Sequence, residues 1–385
     1  MTRARALLAL PGAALFLLSC SLVRGGLFDD RRYGDVSLYG HYAHQMTSGH
    51  WPYRDFYDEY PVLAQPLFVV VRLLPGSFTG TFRWTMALCG VAALALLVAA
   101  MRGSIARVAV ATVVVGLSPL LVGPVFLNTY DLFPAALTIA AVLAFLRGRE
   151  RTTYVLLALA VAAKIFPVVL LPLVLVESYT RGVARRGAAW FLGVLVLVHL
   201  PFAIMGPGGL RFSYWVQLKR GLESESLAGG ILLVLHHATL RDEAPGSRDV
   251  VGGLAGALAI GSTLVVVAAV ALVVWLYARG SRDRLLASAA AVAAFVAFGK
   301  VLSPQYVTWL VPLVPGVDLA ASALLVAVLV LTRLEWDRFV EPHGTVAHWG
   351  DVLSWWILVR DLVLVALFGY LAVKLRAAAR PRSLR

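Results

Sequence analysis

Long apolar runs separated by short polar stretches make up most of the chain. Residues 84–101, 108–127 and 250–278 contain no Asp, Glu, Lys or Arg, and as helices each covers the roughly 30 Å of hydrocarbon in a bilayer. A further run, 6–23, follows Arg3 and Arg5. It reads as a retained first span with its basic end in the cytoplasm, against the alternatives of a cleaved signal peptide or, at Leu17-Leu18-Ser19-Cys20, a lipoprotein box. The run 61–74 contains Pro61, Pro66 and Arg72, so it is too short and too interrupted to cross and should lie along the membrane surface. Residues 153–176 form one apolar run flanked on both sides by arginines. Lys164-Ile165-Phe166-Pro167 sits at its middle, which predicts a hairpin broken where proline interrupts the helix. A second pair of short spans, 304–315 and 317–332, should turn at Pro315-Gly316.

Composition agrees with the pattern: of 385 residues, 60% are hydrophobic and 14% charged, a balance that a soluble core of this size would not need. The net charge of +13 comes from short arginine-rich stretches at 102–107, 147–151, 181–186, 279–284 and 374–385. These mark the cytoplasmic side and give no reason to invoke nucleic acid. By parity, 24–82, 123–131, 206–249, 302–306 and 333–351 then lie outside. Cys20 and Cys89 both fall in apolar runs and support neither a disulfide framework nor a metal site. No tandem repeat or linker divides the chain, which predicts one transmembrane domain over 1–385: a first span at 6–23, an outer loop with surface helices at 24–82, and the remaining spans over 83–376. Small residues such as Gly252, Gly253 and Gly256 are expected at helix interfaces. The fold class is an all-α polytopic membrane protein.

The first outer loop is both aromatic and acidic. Val36, Tyr39, Tyr42, Ala43 and Met46 recur at helical spacing, predicting a surface helix over 35–48 with Asp35 as its N-cap. Asp35 would then lie where membrane meets water. There a carboxylate could take a proton from an acceptor hydroxyl, or simply cap the helix. Downstream, Asp55, Asp58 and Glu59 could bind sugar hydroxyls or a divalent cation, or form a solvated acidic loop. Asp131 could cap the helix it begins or line a pocket. Trp51, Tyr53, Phe56, Tyr57 and Tyr60 could stack on sugars or rest at the interface. His41 and His44 lie one helical turn apart, but sequence places no third ligand beside them, so no metal or cofactor is assigned. Glu223 and Glu225 follow Arg220 at helical spacing and could pair with it, and Arg360 beside Asp361 reads as a structural pair.

Several motifs carry a resemblance. Gly80-Thr81-Phe82-Arg83-Trp84 leads into the second span and Asp131 stands at an outer helix end. Beside them are Asp35-Val36-Ser37-Leu38-Tyr39, Pro52-Tyr53-Arg54-Asp55-Phe56, Glu59-Tyr60-Pro61, Lys164-Ile165-Phe166-Pro167, Arg220-Gly221-Leu222-Glu223 and Ser303-Pro304-Gln305-Tyr306. In this order they resemble glycosyltransferase family 87, the polyprenyl-phosphate-mannose-dependent mannosyltransferases of the GT-C superfamily, over residues 1 to about 315. The resemblance implies a GT-C-like bundle of about 11–12 transmembrane helices. It also implies an inverting membrane hexosyltransferase that moves mannose or a related sugar from a polyprenyl phosphate to an extracytoplasmic glycolipid or glycan acceptor, in the cell membrane with its active site facing outward. Carried over, the general base falls on Asp35. Lys164, Arg220 and Lys300 would hold the donor phosphate, or snorkel to the interface. Tyr39, Asp55, Asp58, Glu59, Tyr60, Asp131, Gln305 and Tyr306 would contact sugar or acceptor. The competing reading is a transporter or flippase of lipid-linked sugars. It fits the broken helices and buried charges, but not the missing repeat or the acids gathered in one outer loop.

Overall fold

The computed structural model describes residues 3–25, 34–243, 247–339 and 351–379; the stretch 340–350 of the last expected outer loop and the end of the basic tail lie outside them. In chain order come α1 (Arg3–Arg24), the two short helices α2 (Val36–Thr47) and α3 (Ala64–Leu73), then α4 (Phe78–Ala100), α5 (Ile105–Val122) and a single turn, α6 (Val125–Asn128). They are followed by α7 (Leu132–Leu146), α8 (Glu150–Ala163), α9 (Leu171–Thr180), α10 (Ala184–Met205), α11 (Pro207–Lys219) and α12 (Leu227–Val234). An antiparallel hairpin of β1 (Thr239–Glu243) and β2 (Ser247–Val251) precedes α13 (Ala255–Leu276), α14 (Arg284–Phe298), α15 (Leu319–Phe339) and α16 (Asp351–Ala379).

Six helices among the described residues are long and apolar enough to cross a membrane: Leu7–Arg24, Phe78–Ala100, Ile105–Val122, Ala184–Met205, Ala255–Gly280 and Val352–Ala379. Between them lie shorter apolar helices, among them Leu132–Leu146, Phe166–Thr180 and Arg284–Phe298. The chain is an all-α polytopic membrane protein, and the β-hairpin is a small addition that the sequence reading did not anticipate.

Local chemistry explains most boundaries. The apolar run 108–127 is not one helix, because Gly123 takes φ +88 at the end of α5 and Pro124 restarts the chain. Residues 304–315, expected as a short span, form 3-10 turns at Pro304–Trp309 and Val314–Gly316. Pro304, Pro312 and Pro315 remove the amide donors that a continuous helix would need. The break expected near Lys164 is present: α8 stops at Ala163, a 3-10 turn covers Phe166–Leu170, and α9 follows. Both halves pack on α10, and Gly148 at the foot of α8 lies beside Arg181 at the end of α9, so the run folds back on itself.

The chain forms two compact units. The first comprises Met1–Arg102 with Pro124–Lys219, the second Gly103–Gly123 with Arg220–Arg385. In the first, α7 packs against α4 and α8, α1 against α4, and α8 against α10. Close approach is bought at Gly90, where any Cβ would overlap the Phe16 ring, and at Gly187, where it would overlap Tyr154. In the second, α16 packs on α12, α14 and α15, and α5 packs on α15. The alanine-rich α14 is buried over almost its whole length. Gly253 and Gly256 do not serve helix packing as expected: a Cβ on either would meet open space, and Gly252 belongs to the turn that leads into α13.

Candidate active site

The site in the first unit begins with the turn before α2. Gly34 has φ +115, and a Cβ there would overlap the Asn128 side chain. The Asp35 amide donates to the Asn128 carbonyl at 3.1 Å, and Arg83 of α4 holds the Asn128 side chain through an Nε–Oδ1 hydrogen bond of 2.8 Å. Asp35 is therefore fixed against α6 by its own backbone. Its side chain does not cap α2. Instead, Oδ2 accepts from the Tyr39 hydroxyl at 3.2 Å and from the Tyr60 hydroxyl at 3.1 Å. Tyr39, 1% exposed, stacks on Phe68 at 4.6 Å and meets Tyr60, Phe82 and Tyr130 within 5.1–5.7 Å. Helical periodicity grouped Val36, Tyr39, Tyr42, Ala43 and Met46 on one face of α2; the first four are buried and Met46 is half-buried.

The proline that ends α8 also assembles the next part. In a continuous helix the amides of residues 166 and 167 would bond the carbonyls of 162 and 163. Pro167 has no amide hydrogen and the backbone turns away before it, so both carbonyls accept from elsewhere. Ala162 takes the Leu63 amide at 3.0 Å and Ala163 takes the Tyr130 hydroxyl at 3.1 Å. Lys164, extended at φ −163, projects from the break. Its Nζ lies 2.6 Å from Asp131 Oδ1 and 4.7 Å from the centre of the Tyr130 ring. Asp131 makes no capping bond to α7 despite its N-cap position. It is 1% exposed and ion-paired. Burial pushes the Asp35 carboxyl above the ordinary carboxylate range, against the opposing pull of the Tyr60 and Tyr39 hydroxyls and of Lys164; Asp131 adds a further push upward.

The three acids crowded in sequence part company in space. Asp55 is exposed, accepts the Trp51 amide at 2.7 Å and pairs with Arg54 at 2.8 Å, and this hydrogen bonding holds its carboxyl down at about 2. Asp58 is fully buried and accepts the Tyr60 amide at 2.8 Å, and burial raises it to about 7. Glu59 is half-buried and its carbonyl accepts from Gln217 of α11 at 3.5 Å. Tyr53, at φ +65, is buried rather than presented as a stacking surface, and its hydroxyl donates to the Tyr60 carbonyl at 2.5 Å. His41 and His44 are exposed, and among the described residues no group of three or more His, Cys, Asp or Glu converges as a metal site.

In the second unit Arg220 and Lys300 lie together: Lys300 Nζ donates to the Arg220 carbonyl at 2.7 Å, and the Glu223 amide donates to the Lys300 carbonyl at 2.9 Å. Burial and the neighbouring guanidinium push the Lys300 ammonium down. Arg220 pairs with Glu223 at 2.9 Å, as expected for one of its two acids. Glu225 lies instead 3.7 Å from Arg360, because 220–226 is irregular chain bridged to β2 and not a helix. Arg360 is fully buried, bonded to Asp361 at 2.9 Å and to the Glu225 carbonyl at 2.6 Å. Gln305 and Tyr306 are half-buried in the 3-10 turn after Ser303, where the Tyr306 ring stacks on Trp309 at 4.0 Å. Sequence reasoning thus named Asp35, Tyr39, Tyr60, Asp131 and Lys164, which converge in the first unit. It missed Tyr130, whose signal was its place beside Asp131, and the Arg83–Asn128 brace.

No curated protein matches the chain. Among solved structures, ArnT from Cupriavidus metallidurans bound to undecaprenyl phosphate is similar over 95% of this chain and 77% of its own, with 15% identity and a TM-score of 0.50. The same protein in its apo state covers 90% and 70%, with 17% identity and a TM-score of 0.47. The first likeness supports a GT-C fold. The model of glycosyltransferase family 87 matches residues 59–304, well over half of the sequence, and the chain belongs to that family.

Proposed function

We propose that this membrane glycosyltransferase moves mannose or a related hexose from a polyprenyl-phosphate donor to a glycolipid or glycan acceptor, with inversion, using Asp35 as the general base. The observation that carries the reading is the Asp35 carboxylate itself, half-buried, bonded by two phenols and set near a lysine at one end of the helices. In that setting a carboxylate gains basicity from burial while staying oriented, which suits it to take a hydroxyl proton as the acceptor oxygen attacks the anomeric carbon. The phosphate needs little activation as a leaving group, so the protein's further task is positive charge. Lys164, tempered by Asp131, is the candidate beside the base. ArnT, a structural neighbour, was crystallised with undecaprenyl phosphate, which fits a donor of this class.

Orientation supports an outward-facing site. From Asp131, α7 runs to Arg147, and α8 returns from Glu150 to Lys164. The site therefore lies a helix length, about 20 Å, from the arginines at 147–151, which by the positive-inside rule face the cytoplasm.

The test uses membranes of a deletion strain, which hold the native acceptor, supplied with radiolabelled mannosyl polyprenyl phosphate. Asp35→Asn should insert normally and lose about 100-fold or more of transfer. Near-normal turnover removes Asp35 from the mechanism. Glycolipid profiling of the same strain names acceptor and sugar together.

A further inference from the structure

We infer that Tyr39 and Tyr60 are positioning residues that orient the Asp35 carboxylate by both donating to Oδ2, and that the other oxygen, Oδ1, takes the acceptor's proton. This rests on Asp35 being the base, as proposed above. The two oxygens of a free carboxylate are interchangeable by rotation, but two donors on the same oxygen end that equivalence. The donors come from different pieces of chain, and each is held independently. Tyr39 rises from the first turn of α2 and is clamped between Phe68 and the other rings. Tyr60 is fixed at both of its backbone atoms, its amide by Asp58 Oδ1 and its carbonyl by the Tyr53 hydroxyl, with Gln65 3.4 Å from the same carbonyl. Such bracing keeps a catalytic group in one orientation.

In the step itself, the acceptor hydroxyl's proton passes to Oδ1 of Asp35 as the acceptor oxygen's lone pair forms the bond to the anomeric carbon. The bond from that carbon to the phosphate oxygen breaks, and its electron pair leaves with the polyprenyl phosphate. Asp35 ends as the neutral acid and later returns its proton to water. Among the described residues, the titratable and charged groups that act on Asp35 are Tyr39 on α2, Tyr60 before α3, Asp131 at the start of α7 and Lys164 after α8, with Tyr130 packed against both phenol rings. Arg83 of α4 reaches the neighbouring Asn128.

The test compares Tyr39→Phe and Tyr60→Phe with the unaltered full-length protein in the same deletion-strain membranes, using radiolabelled mannosyl polyprenyl phosphate. Each variant keeps its ring and loses only the hydroxyl. The expected result is a kcat lower by roughly 10-fold with donor KM unchanged. The acid limb of the kcat profile should move up by about one pH unit, because the lost hydrogen bond favoured the carboxylate. If both variants keep kcat and the acid limb while Tyr60→Leu raises donor KM, Tyr60 is a sugar platform and the inference fails. Asp35→Asn, run alongside, separates the two ideas. Normal turnover there sinks the base assignment, whereas a dead Asp35→Asn with unchanged Phe variants sinks the positioning role alone.

Discussion

Replacing Lys164 with methionine removes the ammonium that stands 2.6 Å from Asp131 Oδ1 and keeps most of the side chain's volume. The Asp131 side chain is 2% exposed and that of Lys164 15%, so water can reach the abandoned carboxylate only poorly. Breaking one side of a buried pair costs about 3–5 kcal/mol, chiefly because a desolvated charge is left behind. Lys164→Met should therefore melt several degrees below the unaltered protein, followed in detergent by the loss of monodisperse material on heating. The double variant Lys164→Met/Asp131→Asn removes both charges and should recover most of that loss, giving a coupling energy of about 2 kcal/mol or more. Transfer behaves differently. If Lys164 serves the donor phosphate, the double variant regains stability but not turnover. A double variant whose stability equals the sum of the single losses refutes the pairing argument, and one with restored turnover refutes the role at phosphate.

Asp58 gives a pH signature. Its folded-state carboxyl, at about 7, lies above the ordinary value of 3.8, so the folded state binds more protons and stability falls as pH rises from about 4 to 7, by about 4 kcal/mol in all. Asp58→Asn keeps an oxygen for the Tyr60 amide, so it should flatten that decline and raise the melting temperature at pH 8; an equal loss of stability at every pH contradicts this. Gly34→Ala should cost about 1–3 kcal/mol for its φ of +115, with further loss of transfer as Asn128 and Asp35 are pushed apart; unchanged melting and rate count against the brace. Arg360→Leu should sharply lower the yield of folded protein, by about 3–5 kcal/mol of stability, and Arg360→Lys should not restore it, since an ammonium cannot span Asp361 and both Glu225 contacts. A well-behaved Arg360→Lys protein overturns that account.

Much of the site could be read from sequence for one physical reason: charge in an apolar run is expensive and so stands out. Lys164 in the apolar run 153–176 and Asp131 at a helix start were visible on that ground, whereas Asp35 was found as the expected N-cap of the helix over 35–48 and by the family resemblance. The helix α2 was visible because its apolar positions keep helical period. What could not be read was partnership. Lys164 and Asp131 are 33 positions apart and Tyr60 lies 25 from Asp35, and no local rule joins them. Asp55, Asp58 and Glu59 were grouped because they are neighbours in the chain. Irregular backbone with a positive φ at Tyr53 sends Asp55 to solvent and Asp58 inward. The β-hairpin at 239–251 was missed because its polar residues read as an outer loop.

The interruption of α8 works as an address label. Proline sets which two carbonyls face outward from the helix end, Leu63 and Tyr130 read those carbonyls, and the cation is delivered one residue later. Inserting a single residue between Ala163 and Pro167 would leave every side chain of the loop present, yet shift the count by which carbonyls, phenol and lysine find one another. Redesign of this enzyme for other sugars should therefore leave the spacing from Ala162 to Pro167 untouched.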